Sequence, residues 1–317
     1  MLSRILSNAF VVIGLALGSM PGAASAQEIK VTLLGTGSPP PIISRFGPSI
    51  LVEAGERKFL FDTGRGAIQR LNQLNVKWQD IDGVFFTHLH SDHVVGFPDV
   101  WLTGWLVSPG RNRPLRVWGP PGTQNMMTHL SQAFEFDIKF RISDDKAPPE
   151  GAVITTTEIS PDFVYEQSGV KITAIKVDHA PVEPAYGYRI DFGGRSVVLS
   201  GDTRLSENLQ RHAMGVDVLV HEVVAPATFA GARPERVQSV IAHHVTPEQA
   251  GEVFDKTKPK LAVYSHIVQP TATAEELIQA TRKTYQGPLE VGEDLMVIVV
   301  GEDVVVNRQR GPAAAKK

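Results

Sequence analysis

The chain has 317 residues, 42% of them hydrophobic and 21% charged, and carries a formal net charge of −3. These values fit an ordinary globular protein and give no electrostatic reason to expect a nucleic-acid partner. Cysteine is absent, so disulfides and thiolate chemistry are excluded, and any metal site must be built from nitrogen and oxygen donors.

At the start, Arg4 precedes the apolar run Ala9–Gly18, a helix-breaking Met20-Pro21-Gly22 follows, and Ala24-Ser25-Ala26 stands ahead of Gln27. A basic start, a short apolar core and a small-x-small site are the marks of a secretory signal, and the run is too short for a permanent membrane span. Residues 1–26 are therefore expected to be removed. That leaves one domain over residues 27–309 and a tail at 310–317, in the periplasm or outside the cell, with no stable membrane span.

Within the domain, apolar and β-branched runs end abruptly in polar residues. Lys30–Leu34 runs into Gly35-Thr36-Gly37, and Lys58–Phe61 into Asp62. A helix is predicted over Gly66–Leu74, with Ile68, Leu71 and Leu74 on one side. Gly83–Phe86 then leads to Thr87 and His88, Ile172–Val177 to Asp178-His179, and Ser196–Leu199 to Ser200-Gly201-Asp202. Val218–Val220 leads to His221-Glu222, and Leu261–Ser265 to His266. Between these last two, Thr246-Pro247-Glu248-Gln249 has a capping-box pattern ahead of a stripe of Ala250, Val253 and Phe254. Ala274–Tyr285 reads as another helix. Near-continuous apolar strands alternating with helices imply an α/β layered architecture, in which function sits on loops at strand ends.

One such loop is Thr87-His88-Leu89-His90-Ser91-Asp92-His93. In an extended segment residues two apart point the same way, so His88 and His90 can grip one ion. A turn at Ser91 would swing Asp92 and His93 toward a second. Imidazole and carboxylate donors without thiolate suit zinc, manganese or iron. A histidine-rich surface loop is the structural alternative, and three imidazoles in six positions beside an acid argue against it. Just beyond, Trp101 and Trp105 are spaced for one helix face; they read as core, with an aryl pocket as the other option. Arg45 is a candidate for steering an anionic ester, and His129 and His212 read as surface residues.

The His88-Leu89-His90-Ser91-Asp92-His93 stretch resembles the His-x-His-x-Asp-His signature of the metallo-β-lactamase-fold hydrolases. The likeness runs over residues 29–305 and includes Leu33–Pro39 and Phe61-Asp62-Thr63-Gly64. It implies a four-layer αββα sandwich holding two divalent ions, with zinc expected. His88, His90 and His179 would hold the first, Asp92, His93 and His266 the second, and Asp202 would bridge them. The implied chemistry is hydroxide attack on a tetrahedral ester, with Asp92 orienting the hydroxide. Asp62 is expected to steady a ligating histidine or cap a turn.

Asp202 separates the chain from the true β-lactamases. The segment Val177–Ile190 around His179 resembles that of the tRNA 3′-processing nucleases and of the related arylsulfatase-type enzymes. His221-Glu222 resembles the family's His-Glu-Ala-Thr motif, and His244-Val245-Thr246 its His-Ser-Thr motif. By that likeness His244 is the general acid and Glu222 its partner, with His243 the competing candidate. Asp137–Gln167 lacks the glycine- and proline-rich arm of the nucleases. The expectation is therefore an exported dinuclear zinc arylsulfatase. A phosphodiesterase or ribonuclease Z-like enzyme is the alternative, and a non-catalytic periplasmic metal-binding protein is the alternative of a different class. Expected partners are a small aryl ester and not nucleic acid; a homodimer is compatible with the sequence.

Overall fold

The computed structural model describes residues 27–107, 110–225, 233–268 and 272–308. The signal-like segment 1–26 and the tail 310–317 lie outside the described residues. In chain order the first half holds β1 (Ile29–Gly35), β2 (Ser49–Ala54), β3 (Arg57–Phe61), α1 (Ala67–Gln73), β4 (Gly83–Phe85), α2 (Ser91–Val94), α3 (Phe97–Leu106), β5 (Leu115–Gly119), α4 (Thr123–Ala133), α5 (Glu135–Ser143) and β6 (Ile154–Glu158). The second half holds β7 (Val164–Gln167), β8 (Val170–Val177), β9 (Ala185–Phe192), β10 (Arg195–Leu199), α6 (Glu207–Ala213), β11 (Val218–Val224), α7 (Pro234–Ile241), α8 (Pro247–Thr257), β12 (Leu261–Val268), α9 (Ala274–Thr281), β13 (Leu289–Val291), β14 (Met296–Val300) and β15 (Val304–Arg308).

The strands form two sheets. The first has the order β15-β14-β1-β2-β3-β4-β5-β6 and the second β13-β12-β11-β10-β9-β8-β7. Both are antiparallel on one side and parallel on the other, with β3 to β6 parallel in the first and β10 to β13 in the second. Parallel neighbours need a long crossover, and the helices lie in those crossovers. This is why the apolar runs of β4, β10, β11 and β12 are nearly uninterrupted: each is covered on both faces.

Three apolar layers hold the sandwich together. Between the sheets, Ile29, Phe59 and Phe85 meet Ile172, Tyr188 and Val218, and Phe85 stacks on Trp118 at 4.5 Å. Outside the first sheet, Leu60 and Val84 pack under Ile68 of α1 and Phe97 of α3. Outside the second, Val198 and Leu219 pack under Leu209 of α6 and Phe254 of α8. Each such large apolar side chain contributes about 1.5–3 kcal/mol when fully buried. The architecture is the expected αββα sandwich, and no helix among the described residues is long and apolar enough to cross a membrane.

Local expectations mostly hold. Thr246 and Gln249 form the capping box at the head of α8. Trp101 and Trp105 are buried core residues whose indole N–H groups donate to Ala152 O and Pro148 O at 3.1 and 2.8 Å, so they line no aryl pocket. The helix expected through Tyr285 stops at Thr281: Arg282 donates to Tyr285 O and Gly287 O, and the Tyr285 ring turns in against Phe254.

Candidate metal centre

The histidine loop grows from the C-terminal end of β4. Thr87 N and Thr87 Oγ1 donate to the two oxygens of Asp62, each at 2.8 Å, which fixes the exit of the strand. His90 is extended and starts α2, so Ser91 begins a helical turn, and Asp92 and His93 come round on it. The loop sits directly on Gly64, where an added Cβ would come 2.6 Å from Asp92 O. Only glycine allows that approach.

Side chains from four strands, β4, β8, β10 and β12, converge here. His88 Nε2 lies 2.9 Å from His90 Nδ1, and His90 Nδ1 lies 3.4 Å from His179 Nε2, at the end of β8. Asp202, beyond β10, brings Oδ2 to 3.8 Å from His88 Nε2 and 3.9 Å from His179 Nε2. Asp202 also faces the other way, with Oδ1 3.4 Å from His93 Nε2 and Oδ2 3.4 Å from His266 Nε2. Asp92 Oδ2 completes that side, 3.3 Å from His266 Nε2 and 3.7 Å from His93 Nε2. The donors thus form one set of His88, His90, His179 and Asp202 and another of Asp92, His93 and His266. All seven side chains predicted as ligands are brought together, grouped as expected, with Asp202 between the sets.

Three observations show that this donor set suits divalent cations. Ligands about 2.0–2.2 Å from a tetrahedral ion stand roughly 3.4 Å apart, and the separations above bracket that value. His93 Nε2 and Asp202 Oδ1 are buried without hydrogen-bond partners, although buried polar atoms are rarely left so. The outward nitrogens are held in turn: His93 Nδ1 donates to Asp62 at 2.7 Å, His179 Nδ1 to His243 O at 3.0 Å, and His88 Nδ1 lies 3.0 Å from Thr87 Oγ1. Such partners fix the ring and leave the inner nitrogen for an ion. A cavity of about 40 Å³ borders His93, Asp202, Glu222 and His266, with room for an ion or water. His90 is exposed and marks the open side.

The charges are arranged to match. Burial holds His88 well below the usual imidazole range, and His93 adds to the effect, so its lone pair is available. Burial would also depress His93, but Asp202 and Asp62 outweigh it and hold that ring well above its ordinary value. Burial opposes ionisation of Asp92 and Asp202. The surrounding imidazoles prevail, putting Asp92 at about 2 and Asp202 well below the usual carboxylate range. Both carboxylates are anionic wherever a cation would need them.

Glu222 and His266 lie inside strands and not beyond them. β11 runs on through His221 and Glu222 to Val224, and β12 through His266 to Val268. The register shifts there: Tyr264 to Ile267 on β12 spans His221 to Val223 on β11, so Ser265 and His266 stand opposite Glu222 alone. This β-bulge turns the His266 ring inward with φ 42°. Glu222 Oε2 accepts a hydrogen bond from His244 Nδ1 at 3.1 Å, and Glu222 Oε1 accepts Val245 N at 3.1 Å. His244 has a nitrogen within the group formed with Asp202 and His266, while His243 offers its carbonyl to His179. Of the two candidates, His244 is the one facing Glu222.

Arg45 is not free to steer a substrate. Its Nη1 donates to Thr36 Oγ1 and Gly292 O at 2.7 and 2.6 Å. His221 is buried with Nδ1 on Glu222 O and faces Phe254, and His129 is an exposed surface residue. His212 is half-buried. Three contributors escaped the sequence: Thr87, which ties Asp62 to His88; Ser200, whose Oγ accepts Glu222 N at 3.0 Å; and Asp294, described below. Thr87 and Ser200 end predicted strands beside site residues, which is a usable signal. Asp294 has none.

Comparison with known proteins agrees with this geometry. Residues 57–267 match the family model described as the beta-lactamase superfamily domain. The chain is 36% identical over 274 residues to a protein named ribonuclease Z from Mycolicibacterium gilvum, covering 84% of this chain and 94% of that one. It is 38% identical over 273 residues to one of the same name from Mycobacterium avium, covering 84% and 96%. Among solved structures, the metallo-beta-lactamase fold protein YhfI from Bacillus subtilis superposes with a TM-score of 0.68 at 17% identity, covering 86% and 99%. Human tRNase Z, short form, superposes with 0.63 at 21% identity, covering 85% and 98%. These relatives lend no support to the expected arylsulfatase activity or to export. Their names run against the expectation that nucleic acid is not a partner and favour the alternative reading. Net charge does not weigh against those names, because it averages over the whole surface and says nothing of one face.

Proposed function

This chain belongs to the beta-lactamase superfamily, as a hydrolase of its metallo-β-lactamase fold, and from that premise we propose that it is a phosphodiesterase of the ribonuclease Z type. The reading is carried by full-length likeness to chains bearing that name. The buried His244–Glu222 pair beside the donor set supports it, since metal binding alone has no use for a proton donor.

In this reading His88, His90 and His179 would hold one divalent ion and Asp92, His93 and His266 a second, with Asp202 a donor available to either set and zinc the first candidate. Such cations supply Lewis acidity toward the phosphoryl oxygens and acidify water from about 15.7 toward 7. The side chains do the rest. Asp92 accepts a hydrogen bond from the attacking water and sets its line of approach. Glu222 holds His244 Nδ1, so that Nε2 points its proton at the leaving oxygen. Asp62, through His93, keeps the second donor set in register.

The test is a side-by-side panel of bis-p-nitrophenyl phosphate, p-nitrophenyl phosphate, p-nitrophenyl sulfate and a short RNA, run with zinc- and manganese-loaded protein. Turnover of the diester and RNA above the monoesters is expected; preference for the sulfate overturns the reading. We also propose export, on the composition of residues 1–26 alone. Cell fractionation checks it, and a cytoplasmic chain retaining those residues defeats it.

A further inference from the structure

His266 takes a left-handed backbone conformation, φ 42°, at the bulge in β12. For a residue other than glycine this is strained and persists only where the surroundings over-determine it. Two backbone hydrogen bonds bracket the bulge. Gly292 N donates to Tyr264 O at 2.8 Å on one side, and Ile267 N donates to Thr36 O at 2.9 Å on the other. Their far ends belong to remote stretches of chain, the exit of β1 and the turn from β13 to β14.

One carboxylate joins those stretches. Asp294 Oδ1 accepts Thr36 N at 2.9 Å and Thr36 Oγ1 at 2.8 Å, and Oδ2 accepts Phe46 N at 2.7 Å and Arg70 Nη2 at 2.8 Å. The side chain is 4% exposed. Arg45 closes the ring by donating to both Thr36 Oγ1 and Gly292 O. We infer that Asp294 is a positioning residue for His266: by tying Thr36 to the Gly292–Leu295 turn it holds both flanks of the bulge and aims the imidazole at Asp92 and Asp202. Every donor it meets requires an acceptor. An amide in its place would press an NH₂ against at least one of them, whichever way it turned.

The inference rests on His266 being a metal ligand, as proposed above. It is tested by metal content under competing chelator and by the visible absorption of the cobalt-substituted protein. Asp294→Asn is expected to weaken one of two ions by about 10–100-fold, as loss of a ligand's supporting partner does elsewhere, and to shift the cobalt bands. Thr36→Val should move both readouts the same way by less, and it decides the matter if Asp294→Asn does not fold. Asp82→Asn is the comparison. Asp82 is a buried aspartate at the other end of β4, held by Arg57 and by Lys58 N at 2.8 and 2.9 Å, and its loss should cost stability without selective loss of an ion. Wild-type ion affinity in Asp294→Asn and Thr36→Val, or equal weakening in Asp82→Asn, overturns the inference. His266→Ala separates the premises: if it keeps both ions, the ligand assignment fails; if it alone loses one, only the role of Asp294 fails.

Discussion

Glu222 reaches His244 from within a strand, its Oε2 3.1 Å from the ring's Nδ1, while its Oε1 takes the amide of Val245. The carboxylate therefore fixes both the ring and the backbone that carries it. Burial alone would depress His244, yet Glu222 outweighs it and raises the ring to about 9. A ring so held stays protonated at neutral pH, with Nδ1–H committed to Glu222 and Nε2–H left for delivery.

His244→Ala should slow diesters with poor leaving groups by about 10²–10⁴-fold and p-nitrophenyl diesters far less, since p-nitrophenolate hardly needs a proton. Steady-state kinetics on a leaving-group series measures the slope. Equal losses across the series would remove the donor role.

The same pair gives a pH signature in metal-free protein. A histidine raised in the folded state contributes stability that is fully present below its ordinary 6.5 and is lost as pH rises through about 9. Denaturant midpoints of chelated protein should therefore fall between those values, and His244→Gln should flatten that part of the curve.

Asp202→Ala removes the side chain that, among the described residues, lies between both donor sets. Elemental analysis should show fewer ions per chain, with kcat down by at least about a hundredfold. Retention of the full complement would refute its place between the sets.

Asp62→Asn leaves the shape of the site but gives His93 Nδ1 and Thr87 N a partner that can accept from only one of them. Metal affinity by chelator competition should drop about 10–100-fold. Asp62→Glu, which keeps the charge, should recover part of the loss.

Trp101→Ala should cost about 3–5 kcal/mol in denaturant unfolding while turnover per folded molecule changes little. A selective loss on aryl substrates would restore the aryl-pocket reading that the buried ring opposes.

The strands and most of the donor set were legible because His88, His179 and Asp202 follow apolar runs, and runs buried on both faces advertise themselves. His88, His90, Asp92 and His93 declared their grouping by spacing alone. What stayed hidden lies in contacts between distant stretches. Asp294 meets Thr36 across 258 positions, and no local pattern marks such a pair. The bulge at His266 was equally invisible, because Tyr-Ser-His-Ile continues a strand pattern without a break and only the register against β11 shows the extra residue. Arg45 looked like a free cation for the same reason: its acceptors are Thr36 Oγ1, nine positions away, and the carbonyl of Gly292. The substrate class was not legible, because bulk charge averages over the surface and no local motif names the group beyond the ester.

The donor set draws on both sheets, with His88 to His93 from one and His179, Asp202 and His266 from the other. A cation clasped there acts as a rivet across the sandwich. At a thousandfold excess over its dissociation constant, a ligand that binds only the docked form adds about 4 kcal/mol, a large share of a domain's whole margin. Starvation for metal would therefore loosen the halves of the molecule as well as silence it.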